Sequence, residues 1–168
     1  MLMSGKRVAI VMGSDSDWGV MSACAEQLKA FGVEAHVEVM SAHRSPARVH
    51  EFSSSAEKDG FEVIIAAAGM SAALAGTIAA QTVLPVIGVP LEGGMPGGLD
   101  ALLSTVQMPP GIPVAAMAVG GAGAKNAALL AIQMLAVKDA GLREAFRKFK
   151  ADQAAKVRER NAALQAKR

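Results

Sequence analysis

The sequence predicts an α/β protein: a flavodoxin-like, three-layer α/β/α fold around a parallel sheet of five or slightly more strands, with a C-terminal helix. Three observations carry this expectation. Short apolar runs alternate with helix-length segments from residue 8 to residue 137. Runs such as Val8-Ala9-Ile10-Val11-Met12 are apolar without alternation, as suits strands buried on both faces. Glycine or proline punctuates most junctions between the two kinds of segment.

In chain order, Val8–Met12 is the first strand and Gly13 ends it. Asp17–Phe31 has helical periodicity and Gly32 stops it. Val33–Met40 alternates as a second strand. Ser45 is placed to cap the next helix and Pro46 to open it; that helix extends to Asp59, with Gly60 as its stop. Val63–Ala68 is the third strand, Ser71–Gln81 a helix of small residues, and Pro85–Pro90 the fourth strand. Leu99–Gln107 is a short helix and Pro113–Val119 the fifth strand. Ala122–Val137 is apolar nearly all round, so it must be buried. In a domain this small, contact with another subunit is the simplest way to bury it, which predicts a homo-oligomer. The last helix runs from Leu142 almost to the end.

At 168 residues the chain is expected to be one domain, with a core over about residues 7–137 and a helical extension over about 142–168. It is 52% hydrophobic. Its longest apolar stretch, Val63–Leu91, is broken by Gly69, Gly76, Pro85, Gly88 and Pro90, which suits strands and turns rather than a membrane span. Met1–Arg7 precedes no signal-like apolar segment, so a soluble, cytoplasmic protein is expected. A single cysteine, Cys24, rules out an internal disulfide and a cysteine metal cluster, and its place in a helix reads as core. Residues 142–168 hold nine Lys/Arg and three Asp/Glu, a net of +6, against −4 for the remainder. These basic residues are interleaved with alanines, and the chain has no tyrosine and no RNA-binding aromatic motif, so a solvated or subunit-packing helix is expected rather than a nucleic-acid surface.

Ligands of open parallel sheets bind beyond the carboxyl ends of the strands. The first loop there, Gly13-Ser14-Asp15-Ser16-Asp17-Trp18, offers amides and hydroxyls at a helix start, a form suited to phosphate. The equal alternative is that Ser16 or Asp17 does no more than cap the helix. The second, Ser41-Ala42-His43-Arg44-Ser45-Pro46, carries an imidazole that can serve as acid and base and a guanidinium that can grip an anion. His36 and His50 lie within elements and read as structural or exposed. The third, Ala68–Gly76, is made of small residues whose backbone could approach a ligand closely, or which merely start a tightly packed helix. Glu92–Gly98 reads as a mobile loop or lid. Gly120–Asn126 lacks the ending of a phosphate-binding P-loop, no spacing resembles a metal site, and there is no serine nucleophile elbow.

Several of these segments together resemble the PurE family of purine biosynthesis, which comprises N5-carboxyaminoimidazole ribonucleotide mutases and aminoimidazole ribonucleotide carboxylases. They are Val11–Trp18, Ser41–Pro46, Leu84–Pro90, Gly98–Pro109 and Gly123–Ala128, in the family's order over about residues 7–137. The resemblance implies an octamer, a small ribonucleotide substrate, and no metal or organic cofactor. It implies His43 as the catalytic acid and base, Ser14 and Arg44 as phosphate contacts, and Asp17 on the ribose. Asp15, Ser41, Ala42, Gly69, Ser71, Ala73 and Leu74 complete the implied substrate site.

One departure stands out. The bacterial mutase pattern Gly-Gly-Ala-Ala-His-Leu-Pro-Gly is here Gly69-Met70-Ser71-Ala72-Ala73-Leu74-Ala75-Gly76, so the family's second active-site histidine falls on Ala73. Ser71, Ala73, Leu74 and Gly76 match the carboxylase version, Gly-Arg-Ser-Asn-Ala-Leu-Ser-Gly, better. Arg44 and the stretch Gln107–Pro113 favour the mutase branch. The expected activity is that of the mutase. Direct carboxylation with CO2, or ribonucleotide binding with weak turnover, are the alternatives.

Overall fold

A computed structural model describes residues 5–168; the reading of Met1–Ser4 lies outside them. The residues group into two compact units, one through Ala131 and one from Ile132 to Arg168. The first unit holds a five-stranded parallel sheet in the order β2-β1-β3-β4-β5. Its strands are β1 (Val8–Met12), β2 (Ala35–Val39), β3 (Val63–Gly69), β4 (Val86–Leu91) and β5 (Ala115–Ala116). Between them run α1 (Trp18–Lys29), α2 (Pro46–Ser55), α3 (Leu74–Ala79) and α4 (Leu99–Val106), and after β5 comes α5 (Gly120–Leu135). The flavodoxin-like expectation is met.

The strand order is that of a doubly wound sheet. The chain steps from β1 outward to β2, then returns across β1 to β3 and continues to β4 and β5. The reversal between β1 and β3 leaves their carboxyl ends diverging, and a crevice opens there. Every residue of β1 is buried. Alternate side chains serve opposite faces. Ala9 and Val11, with Ile64 and Ala66 of β3, pack with Val49, Phe52 and Ala56 of the α2 region and with Leu74, Ala75 and Ile78 of α3. On the other face, Cys24 of α1 meets the Ala128 backbone of α5. Burial of that thiol pushes its pKa up to about 12, so Cys24 is a packing residue, as its sequence context suggested.

Two details of β4 explain its tolerance of residues that strands disfavour. Gly88 is needed because a Cβ there would collide with Thr105 Cγ2 of α4 and lie 2.9 Å from Val114 Cγ1. Pro90 has the same parity as Gly88, whose carbonyl faces β5 and accepts from Met117 N at 2.9 Å. The donor that Pro90 lacks would therefore point where β5 has already ended.

The sequence overestimates several elements. The Pro113–Val119 strand is only Ala115–Ala116, because an edge strand opened by a proline pairs with one neighbour alone. The predicted Ser71–Gln81 helix is shortened to Leu74–Ala79, with its first residues used as a loop. Of the apolar helix, Ala124, Ala127, Ala128 and Ala131 are buried while Lys125 and Asn126 are exposed. One face of α5 is thus buried within its own chain, while Leu129 and Leu130 stay half-buried.

In the second unit, α6 (Ala140–Gln165) is capped by Asp139, whose Oδ1 accepts from Leu142 N at 3.1 Å. Arg143 donates to the carbonyls of Ala136 (3.0 Å) and Val137 (2.6 Å), satisfying the preceding helix end. Most of α6 is exposed. Among the described residues no helix is long and apolar enough to cross a membrane.

Candidate active site

The carboxyl ends of β1, β2, β3 and β4 enclose a cavity of about 570 Å³. Its first wall is the loop after β1. Ser14 is extended (φ −150°, ψ 155°) and caps a 3-10 turn over Asp15–Asp17 that leads into α1. Its N–H donates to Asp17 Oδ2 at 3.0 Å, and its hydroxyl accepts from Ser16 N at 3.4 Å, a reciprocal capping box. Ser16 N also donates to Asp15 Oδ1 at 3.1 Å. The cap is thus Ser14, with Asp17 as the third residue of its capping box; as N-cap of α1, the role the sequence offered it, Asp17 makes no side-chain cap bond. Partial burial holds the Asp17 carboxyl above the usual range, opposed by hydrogen bonds from the Ser14 and Gly13 amides and by the Arg44 charge.

The second wall is the loop after β2. Ser45 stands at the N-cap of α2, but its side chain makes no cap bond. Its hydroxyl instead accepts from Ser41 N (2.9 Å) and donates to Ser41 O (3.2 Å), closing the loop on itself. Ser41 Oγ in turn accepts from Arg44 N at 3.2 Å. Arg44 then crosses to the first loop, donating from Nη2 to the Gly13 carbonyl at 2.8 Å. The two polar loops are thereby tied together. His43, between these clamps, is exposed, and its ring has no hydrogen-bond partner among the described residues.

The third wall is unlike the first two. It consists of Ala68, Gly69, Met70, Ser71, Ala73 and Leu74. Met70 adopts a left-handed conformation (φ 57°) and is 60% exposed. Such a conformation costs a non-glycine residue roughly 1–2 kcal/mol, so the surrounding chain enforces it. The mutase pattern has glycine at this position. Glu92 and Gly93, just past β4, close the cavity.

Of the residues expected in the site, Ser14, Asp17, Ser41, Ala42, His43, Arg44, Gly69, Ser71, Ala73 and Leu74 all line this cavity. Asp15 does not; with Ser14, Ser41 and Arg44 it borders an adjoining recess of about 300 Å³. Sequence reasoning passed over Ser16, Met70 and Glu92 as lining groups. The rule that ligands sit beyond strand carboxyl ends applies to β4 as well as β1–β3, and would have found Glu92. The other histidines lie elsewhere. His36 hydrogen-bonds Glu38 at 3.0 Å and stacks near Phe52 and Phe61, while His50 meets Gln81. His36 is half-buried and His50 exposed, in keeping with the reading of both as structural or exposed.

Comparison with known proteins agrees with this geometry. The family model described as AIR carboxylase matches residues 7–156. The N5-carboxyaminoimidazole ribonucleotide mutase of Escherichia coli K12 is 54% identical over 138 residues, 82% of each chain. The enzyme of that name from Pyrococcus abyssi is 53% identical over 146 residues, 87% of this chain and 83% of its own. The crystal structure of Treponema denticola PurE superposes with a TM-score of 0.83 at 30% identity, covering 94% of this chain and 97% of that one. A shared fold, sequence identity above one half and one family model spanning the cavity loops lead to one conclusion: this chain belongs to the AIR carboxylase family, the PurE enzymes of purine biosynthesis.

Proposed function

We propose that the protein converts N5-carboxyaminoimidazole ribonucleotide to 4-carboxy-5-aminoimidazole ribonucleotide, with His43 as general acid and base. The observation that carries this reading is the common cavity of His43, Arg44, Ser14 and Asp17 in a chain more than half identical to named mutases. Arg44 and the Ser14 hydroxyl bind the phosphate. The Asp17 carboxyl binds ribose hydroxyls with the oxygen its cap leaves over. Asp15 borders the phosphate end, and Gly69, Ser71, Ala73 and Leu74 wall the base.

The proton balance is simple. Protonated His43 delivers its proton to the exocyclic nitrogen as the carbamate C–N bond breaks and CO2 departs. Ring carbon 4 attacks the trapped CO2, forming the new C–C bond. Neutral His43 then removes the carbon 4 proton and returns to its starting state. Walls of small side chains favour this sequence by holding CO2 against the ring and excluding water. The site needs no metal or organic cofactor for these steps.

The assembly we propose is a homo-octamer in the cytoplasm. The PurE-like core covers about residues 7–137 of a single domain and α6 is its extension. It acts on a small ribonucleotide, without nucleic acid or membrane.

One observation favours a second reading. Ala73 stands where mutases of this pattern carry a histidine, as in enzymes that carboxylate the aminoimidazole directly with CO2. One experiment separates the two: turnover of each substrate, with and without bicarbonate and with a CO2 trap. Conversion of the carbamate that survives the trap supports the mutase. Turnover of the unsubstituted aminoimidazole ribonucleotide alone, at high bicarbonate, replaces it with the carboxylase. Binding of both without turnover means a ribonucleotide-binding protein.

A further inference from the structure

The cavity has a charged group that the mechanism above does not use. Glu92 follows directly on β4, whose last pairs with β3 are Ala68–Pro90 and Gly69–Leu91. A Cβ at Gly69 would lie 3.2 Å from the Leu91 carbonyl oxygen and 3.4 Å from that of Glu92, so glycine there lets the two strand ends close up. Glu92 is thus the first residue past the ladder, next to its last pair and ahead of the glycines of the following loop. A group on a strand end is better positioned than one on a free loop.

The polar groups of the cavity are unevenly distributed. Ser14, Asp17, Ser41, His43 and Arg44 all come from the ends of β1 and β2. From the ends of β3 and β4, the side chains of Ala68, Met70, Ala73 and Leu74 form no ordinary hydrogen bonds, leaving Ser71 and Glu92. Asp17 is engaged by the Ser14 amide and Arg44 by the Gly13 carbonyl. Among the described residues nothing pairs with the Glu92 carboxylate, which is exposed in the cavity wall.

We propose that Glu92 determines specificity in this cavity by accepting a hydrogen bond from the exocyclic amine of an aminoimidazole ribonucleotide. This rests on the function proposed above. If Arg44 and the Ser14 hydroxyl take the phosphate at the β1 and β2 ends, the ring extends toward the β3 and β4 ends. An ionised carboxylate only accepts hydrogen bonds, and an amine bound to the ring offers N–H donors. In the proposed reaction that amine is free once the carbamate C–N bond has broken, which is when Glu92 accepts from it. A ribonucleotide without the amine would lack that donor and lose the charge-assisted hydrogen bond.

The test measures dissociation constants for two probes, 5-aminoimidazole ribonucleotide and imidazole ribonucleotide, on the full chain and on Glu92→Ala and Glu92→Gln. The ratio of two affinities in one preparation does not depend on the fraction of folded protein. The wild type is expected to prefer the amine-bearing probe by about tenfold or more, the range of a charge-assisted hydrogen bond. Glu92→Ala is expected to abolish that preference by weakening the amino probe alone, and Glu92→Gln, which keeps an acceptor oxygen, to retain part of it. An unchanged ratio in Glu92→Ala, with both probes binding, overturns the role of Glu92 and leaves the proposed function standing. Failure of the wild type to bind either probe overturns both.

Discussion

The β1–β2 side of the cavity and its β3–β4 side are built on opposite plans. On the first, nearly every polar group is tied: Ser14 to Asp17, Ser45 to Ser41, and Arg44 across to Gly13. On the second, the chain is mostly small or apolar, and its conformation is held by packing and by a left-handed Met70. Hydrogen bonds fix direction, so the first side can bind and transfer protons at defined points. Close-packed small residues fix shape and exclude water, so the second can confine a ring and a gas molecule.

Four substitutions would break or sharpen this contrast. The largest effect belongs to His43→Ala, expected to lower kcat by about 10²–10⁴-fold, the range of general acid–base catalysis, with ribonucleotide binding retained in calorimetry. A near-normal rate would remove His43 from the mechanism. Next, Arg44→Ala removes both an anion ligand and the tie to Gly13. It should raise KM by about tenfold or more, as for loss of a charge-assisted hydrogen bond, with a smaller change in kcat. An unchanged KM would place the phosphate elsewhere.

Ala73→His probes the other side. It should change the rate, or the preference between carbamate and bicarbonate, while the melting temperature stays within a few degrees; collapse of the fold would show that this wall has no room.

The smallest effect is on stability. Burial raises the Asp17 pKa in the fold above its ordinary value of 3.8, so the folded state favours the protonated form. The stabilising contribution of that proton is complete below the ordinary value and is lost as pH rises through the raised one. At neutral pH the ionised group therefore costs stability. Asp17→Asn keeps an acceptor for the Ser14 amide and should raise the melting temperature at pH 7. That gain should fade below about pH 4. A gain that persisted in acid would have another cause.

The polar side was far more legible in the sequence than the apolar one. Gly13–Asp17 and Ser41–Pro46 announce themselves because capping residues, a proline and a His-Arg pair have local meanings that survive without tertiary context. The pairing of Ser45 with Ser41 rather than with its own helix was not legible, since both are plausible for a serine before a proline. On the other side, the left-handed φ of Met70 has no local signal; methionine does not ask for it. The short β5 was hidden because Pro113–Val119 is apolar enough for a strand, and only the lack of a second neighbour shortens it.

The sequence by itself determined the alternation of strands and helices. In a parallel sheet built from that alternation, the loops after β1, β2 and β3 all leave the carboxyl ends of their strands at one end of the sheet. It also determined which chemical groups would be there. Only the tertiary structure decided how those groups divide. Asp17, Arg44 and Ser45 each hold a loop through a hydrogen bond, while among the described residues the side chains of His43 and Glu92 have no hydrogen-bond partner and line the cavity that Asp17 and Arg44 also line. The reason is distance: a side chain's choice between structure and ligand depends on which donors and acceptors lie within about 3 Å, and those come from segments far apart in the chain.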